Sequence, residues 1–567
     1  MLTSFEDYNS EQHRDTDVVI VGAGPVGIVL ALELGRRGAK VLVVESGLTS
    51  FGNAHQDLAR AGSYDPAMHA EMTLAVRRQL GGTSTIWGGR CLPYDPLDFQ
   101  PRAYVPDSEW PVTYEELVPY FARACSWTGC GRPVFDASQI PRAAEGIVPG
   151  FPSGRIASTA LERWSLPTHF GREYLHDLKS SSSVTVVLGL TCVGIVVEPE
   201  GSTVSGLECR SLDGEATRLS GSAYVLAAGG LESTRLLLAS PRSNGHALGD
   251  HSGHLGRWYM GHLEGDIARI HFNTDPRDTI FGFENDVDGV YVRRRITVAP
   301  GAQSAAGIGN FVAWLANPEL QDSSHRSGVL SFVYLVLRSP LGRLLAPAAQ
   351  RMSLTGERVP GSPYGTAPRS RVLSHLGNII RRPRSTLSFI VDFGRKRFLS
   401  KRRAPGFFVS SQANIYPLHY QAEHRPNFLS RVALSDAIDQ LGMPRLAIDI
   451  RFSEDDIADV IKAHNIVDEE LRSSGCGHLE YVDEDLRSAI RSRLGGGFHQ
   501  IGTTRMAASA ADGVVDPNLK VYGTDNLYVA SSSSFVTSGQ ANSTFMTIVF
   551  ALRLADHLMS TVLGDPE

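Results

Sequence analysis

The chain has 567 residues, 42% apolar and 20% charged, which describes a water-soluble globular protein too long for one core. A net charge of −6 gives no general attraction for nucleic acid, and the longest central apolar run, Val329 to Leu337, is too short to span a bilayer. The N-terminal stretch is polar and acidic, with no secretory pattern, and the six cysteines form no CxxC pair; a cytoplasmic protein with reduced thiols is expected.

Asp17 to Ser46 reads DVVIVGAGPVGIVLALELGRRGAKVLVVES. Val18–Val21 is a β-branched run of the kind that forms a buried parallel strand. Gly22-x-Gly24-x-x-Gly27 follows, then a helical pattern through Leu34, a stop at Gly38, and a second strand ending in Glu45. Gly22 allows a tight turn, Gly24 a close backbone approach to a pyrophosphate, and Gly27 close packing of helix on strand. The helix start offers N–H groups and a positive dipole end to phosphate, and Glu45 is placed to accept from ribose hydroxyls. An adenosine diphosphate moiety is expected here, with FAD and NAD both open.

Gly81-Gly82-Thr83-Ser84-Thr85-Ile86-Trp87-Gly88-Gly89 sets small residues between glycine pairs, as a backbone pressed on a flat or charged ligand requires. Tyr114 to Cys125 has the pattern of an amphipathic helix. Strand-like runs return at Val184–Leu188, Thr191–Val197 and Ala223–Ala227; Val193 is a candidate for meeting an adenine edge. The last run leads into Ala228-Gly229-Gly230, a further nucleotide-domain strand, turn and helix start. Alternation over Asp266–Phe272 and Val290–Val298 predicts an antiparallel sheet.

The stretch 381–403 holds nine Lys or Arg against Asp392, a local +8 beside −14 for the remainder. It reads first as a solvated basic surface on an extended arm, about 318–405, and alternatively as a lid, an oligomer contact, or a contact with an anionic membrane or an acidic partner. His251-x-x-His254 with His262 has a spacing that could suit a metal, but no Cys or carboxylate cluster joins it, so no metal site is assigned. Trp314, Phe332, Tyr334, Tyr416 and Tyr420 are candidates to stack on a sugar. Near the C-terminus, Ser532 follows a buried strand, and Asn542-Ser543-Thr544 opens a helix, turning backbone donors toward a flavin ring or ribityl chain.

In this order, GGTSTIWGG, PNFLSRVALSD, FHQIGTTRM, GVVD, NLYVASSSSF and ANSTFMT resemble the glucose–methanol–choline (GMC) oxidoreductases. The resemblance covers the segments at both ends of the chain well and 261–425 poorly. It implies FAD as cofactor and an α/β (α+β overall) fold. A Rossmann-like FAD-binding domain would comprise 16–108, 184–260 and 495–560. A substrate-binding domain on an antiparallel sheet would comprise 109–183 and 261–494. The implied reaction is oxidation of an alcohol to a carbonyl, with His499 in the family's general-base position and Asn542 in that of its partner. An imidazole titrates near neutrality, and flavin reduction is expected to rise through an apparent pKa at or somewhat above ~6.5. Ile86 occupies the position where several family members tether FAD through a His, so FAD is expected to be bound non-covalently. The layout is nearest to bacterial sugar and glycoside oxidases. A secondary-metabolite alcohol, a non-redox lyase on the same fold and a non-catalytic flavin-bound protein stand as alternatives. The electron acceptor, oxygen, a quinone or a protein, is left open.

Overall fold

The structure, a computed structural model, describes residues 1–8, 15–140, 146–165, 168–198, 201–240, 247–280, 282–346, 351, 354–355, 372–561 and 564. Two sheets organise it. The first has six strands, all parallel, in the order Leu2–Ser4, Val184–Leu188, Val41–Glu45, Val18–Val21, Ala223–Leu226, Leu527–Val529. Its four inner strands are buried at almost every position, which is why they read as continuous Val/Leu/Ile runs. The helix Pro25–Arg36 starts with Pro at its first turn and stops before Gly38, whose φ is 94°. It packs against Thr544–Thr561, the C-terminal helix. The excursion from residue 46 to 183 and the return after residue 494 therefore both feed this sheet.

Thr191–Val197, expected to be a strand, forms one (Leu190–Val197), but in a separate three-stranded antiparallel sheet. The helix expected over Tyr114–Cys125 is broken. Tyr114–Leu117, capped by Thr113 and Glu116, gives way to a tight turn at Val118–Tyr120 before Phe121–Thr128 resumes. Pro119 accounts for this, because it lacks the N–H that a continuous helix needs there. The stretch 109–130 packs Trp110, Phe121 and Trp127 into the same core as the six-stranded sheet, although sequence reading groups it with the second body.

The second sheet runs Gly477–Tyr481, His262–Phe272, Ile415–Glu423, Phe311–Leu315, Tyr291–Val298, Ile156–Trp164, Arg90–Cys91, antiparallel throughout, with Glu284–Asn285 added beside Tyr291–Val298. Its two faces differ completely. Leu263, Ile270, Ile296, Phe311, Leu418 and Tyr420 join one core with the helix Glu454–Ser474, which is held at its start by a Ser453/Asp456 capping box. Side chains alternate across a strand, so the intervening residues, His262, Glu264, Arg293, Arg295, Trp314, His419 and Gln421, share the other face. That face meets the segment that follows the last strand of the first sheet, with His262 against Ser538 O and Arg295 against Gln540.

The arm expected at about 318–405 is helical where it is described: Gly328–Arg338, Gly342–Leu345, Val372–Arg381 and Pro383–Gly394. Most of 347–371 lies outside the described residues.

Candidate active site

The three glycines of the first loop have distinct geometries. Gly22 has φ 102°, and a Cβ there would lie 2.7 Å from the Ala227 carbonyl oxygen. A Cβ on Gly27 would sit 1.9 Å from the Gly22 oxygen, so this residue fixes helix against strand and does not itself line the cleft. Gly24 does line it and precedes the helix with no side-chain cap. The second glycine loop is stitched to the first, because the Gly81 N–H donates to Ala23 O at 2.8 Å. Gly82 approaches Gly24 so closely that a Cβ on it would come within 2.9 Å of the Gly24 Cα.

These loops line one long, partly open cleft. Gly22, Gly24, Glu45, Gly82, Thr83, Ser84, Trp87, Ala228, Ser532, Ser543 and Thr544 all line it. Three helix starts converge there: Pro25–Arg36, Gly230–Leu238 and Thr544–Thr561. The first two have no side-chain cap, which leaves N–H groups and positive dipole ends for an anion. Glu45 is buried. Its Oε2 accepts from the Ala23 N–H at 2.8 Å and its Oε1 from the Gly47 N–H at 2.7 Å. Burial raises its pKa, opposed by those two bonds and by Arg78. A pyrophosphate facing three helix starts, with a carboxylate at the end of the second strand, is the donor and acceptor set that FAD requires, so the residues fit the cofactor. Val193 does not line the cleft; Leu190, Thr191 and Cys192 do. Arg77, Arg78, Phe498 and Gln500 also line it and were not singled out from sequence.

His499 and Asn542 lie beside the cleft, since Phe498 and Gln500 on one side and Ser543 and Thr544 on the other form part of its wall. Asn542 Nδ2 and His499 Nε2 are 2.8 Å apart. On the far side of the ring, His499 Nδ1 lies 2.9 Å from His262 Nδ1, and His262 Nε2 lies 3.2 Å from Ser538 O. A carbonyl can only accept, so the His262 proton belongs on Nε2. Neutral His262 then offers a lone pair at Nδ1, His499 donates its Nδ1–H to it, and the lone pair of His499 is on Nε2, where it accepts from Asn542 Nδ2. Burial lowers the pKa of both rings; for His499 it is opposed by Glu264 and only then reinforced by Arg90, while His262 is lowered further by a charge on His499. The sequence expectation of a pKa at or above that of free imidazole is therefore corrected downward for His499, because the ring is desolvated.

His262 was noted from sequence only as a metal candidate. Among the described residues no group of His, Cys, Asp or Glu could hold a metal. His251 meets Tyr522 O, and His254 accepts from the Trp258 indole.

Beyond the histidines the polar sheet face continues. Arg90 Nη1 donates to Gln421 Oε1 at 2.8 Å, and Arg295 Nη1 donates to Gln540 Oε1 at 2.7 Å. Arg90 and Arg293 both pair with buried Glu162 and lie on Trp314, at 4.6 and 4.5 Å from its ring centre. Trp314 is the one proposed aromatic on this face. Tyr416 and Tyr420 are in the core behind the sheet, and Phe332 and Tyr334 belong to an arm helix. All six cysteines are free and buried.

A family model described as GMC oxidoreductase matches residues 426–551, and one described as FAD binding domain matches residues 15–62. The chain is a GMC oxidoreductase. Its relatives include 6'''-hydroxyparomomycin C oxidase of Streptomyces lividus, 22% identical over 97% of this chain and 93% of that protein. They also include 2-methyl-1,2-propanediol dehydrogenase of Mycolicibacterium austroafricanum, 20% identical over 96% and 95%. Among solved structures, pyridoxine 4-oxidase from Mesorbium loti shares the fold with a TM-score of 0.54 at 17% identity, covering 96% of this chain and 99% of that one. Formate oxidase does so with a TM-score of 0.54 at 15%, covering 96% and 98%. This GMC oxidoreductase uses FAD and oxidises alcohols.

Proposed function

We propose that the enzyme oxidises a hydroxyl of a polyhydroxylated substrate, such as a sugar or glycoside, with His499 as the base that takes the hydroxyl proton. The observation that carries this reading is the relay from Ser538 O through His262 and His499 to Asn542. It leaves the basic lone pair of His499 on Nε2, beside an amide N–H. A substrate hydroxyl entering between them donates to His499 Nε2 and accepts from Asn542 Nδ2. As the proton moves, the Asn542 amide holds the developing alkoxide, and the imidazolium keeps its Nδ1–H bond to neutral His262. Bound FAD supplies the two-electron acceptor for the hydride that leaves the carbinol carbon. Asn542 Oδ1 is buried without a partner, so a substrate donor group also has an acceptor waiting.

The polar sheet face beside His499, which we take as the wall of the substrate chamber, supports a substrate with several hydroxyls, because Gln421 Nε2 is buried on it without a partner. The names of two relatives, oxidases of 6'''-hydroxyparomomycin C and of paromamine, agree with that class. FAD is held without a covalent bond in this reading. Ile86 stands at the family's tether position, and no histidine lines the cleft among the described residues. Acid precipitation is expected to leave a yellow supernatant over a colourless pellet.

In His499→Ala the flavin spectrum is expected to persist while anaerobic reduction by substrate slows by about 10²–10⁴-fold. In the parent enzyme the rate is expected to climb with pH through an apparent pKa below ~6.5 and then level, since only the neutral ring accepts a proton and burial lowers its pKa. An unchanged reduction rate in His499→Ala removes this residue from the chemistry. Failure of any alcohol to bleach the flavin favours the lyase alternative.

A further inference from the structure

The arm carries a helix that is inside out. In Val372–Arg381 the buried side chains are His375 and Asn378. His375 is pinned to Ser331 Oγ at 3.0 Å and lies on the Tyr334 ring. Asn378 donates to Ser323 O at 2.9 Å and to Ser331 Oγ at 3.1 Å. The leucine side faces out: Leu373 is 82% exposed and Ile380 75%, with Leu376 between them. The next helix, Pro383–Gly394, repeats this, burying Thr386 and exposing Leu387 and Val391, and the turn after it exposes Phe398 and Leu399. The spacing 373, 376, 380 and 387, 391 keeps each set on one side of its helix. Single exposed leucines need no explanation, but rows on consecutive helices form a patch that needs a covering.

The charges decide what covers it. Arg381, Arg382, Arg384, Arg395, Lys401 and Arg403 have side chains without a hydrogen-bond or ion-pair partner among the described residues, whereas Lys396 pairs with Asp392 and Arg397 and Arg402 meet backbone carbonyls. A second copy docked face to face sets one +8 stretch against another, which repels. A surface with negative charge over an apolar layer satisfies both features. The remainder of the chain sums to −14, so an anionic surface attracts the arm, repels the rest and orients the molecule. No described helix is long and apolar enough to cross a membrane; the rows suit helices lying in the interface with their apolar side down.

We infer that residues 372–403 are a docking surface for an anionic lipid bilayer, with the leucine rows inserted at the level of the acyl boundary and the arginines on the headgroups. The root of the arm reaches the substrate side. Phe408 packs on Phe283, which meets Trp164, and Arg293 of the polar face lies near all three rings. Docking therefore sets the rim of the chamber close to the lipid surface.

The test uses the full-length, flavin-loaded protein and sedimentation with phosphatidylcholine vesicles, with and without phosphatidylglycerol. Pelleting is expected with phosphatidylglycerol, at least about tenfold weaker at high salt, and weak with phosphatidylcholine alone. Arg381, Arg382, Arg384, Arg395, Lys401 and Arg403, all changed to Gln, are expected to lower pelleting by at least about tenfold. A second variant, Leu373→Ser, Ile380→Ser, Leu387→Ser and Leu399→Ser, is expected to lose it at unchanged charge. Flavin content and turnover of a soluble alcohol stay at the parent level in both. Absence of pelleting by the parent protein with phosphatidylglycerol overturns the proposal. So does salt-independent pelleting that ignores the lipid charge. A parent dimer that the serine variant converts to monomer assigns the patch to a second copy instead and also overturns it.

Discussion

The nucleotide cleft and the chamber beside His499 adjoin, yet they are made of different material. The cleft is built from backbone: three helix starts and two glycine loops, with Gly82 closing on Gly24 and Gly27 on Gly22. The chamber is built from side chains on one face of a sheet, Arg90, Glu162, His262, Arg293 and Gln421, each on a different strand. A site made of backbone is destroyed by adding one carbon and is largely indifferent to losing a hydroxyl. A site made of side chains behaves the other way round.

The contrast breaks most sharply at Gly27. Gly27→Val places a branched side chain where even a Cβ has only 1.9 Å to the Gly22 oxygen, so the helix must move off the strand. The purified variant is expected to be colourless, with no measurable turnover; full flavin content would show that the loop tolerates the shift. An intermediate effect is expected at His262. His262→Phe removes the acceptor for the His499 Nδ1–H and keeps the ring volume. Flavin content is expected to hold while kcat falls about 10- to 100-fold, the range of one lost hydrogen bond to a charged group. The acid limb of the pH–rate profile should also move to lower pH, since the variant loses the acceptor that stabilises the His499 imidazolium through its Nδ1–H. A fall in kcat with an unmoved pH profile would reduce His262 to packing. The smallest effect belongs to Ser532→Ala. Its hydroxyl donates to Gln500 O at 2.7 Å within the cleft wall, and its loss is worth about 1 kcal/mol, so FAD affinity measured by titration of apoprotein should weaken less than about tenfold. A larger loss would mean that the hydroxyl, and not the backbone, carries the contact.

The same contrast explains what could be read in advance. Gly22, Gly24, Gly27 and Glu45 were legible because a tight turn, a close approach and a helix packed on a strand each constrain the residue at that place, whatever is far away. His499 and Asn542 were placed only by their resemblance to family motifs. The chamber was not legible. His262-Leu263-Glu264-Gly265-Asp266 alternates as any half-exposed strand does, and nothing local says that the polar side faces another domain. Arg293-Arg294-Arg295 was the available signal: three arginines within one strand fit neither a core nor an ordinary surface strand. Arg294 goes to Glu284 at 2.8 Å behind the sheet, and its two neighbours go to the chamber. The helix broken at Pro119 was a plain misreading, since proline within a helical pattern is itself a stop signal.

The strand order of the parallel sheet carries a consequence for how the protein comes to exist. Val18–Val21 and Ala223–Leu226 lie at its centre, and Leu527–Val529 completes one edge. Ser532, Ser543 and Thr544 follow that edge into the cleft wall, and Thr544–Thr561 covers the helix of the first glycine loop. During synthesis the first strands leave the ribosome about 500 residues ahead of their last partner, which at 5–20 residues per second is roughly half a minute or more. For that interval the first glycine loop exists without its third helix start and without its cover. Acquisition of FAD is therefore a late, near-terminal event, and until then Ala223–Leu226 is an unpaired edge of the waiting sheet.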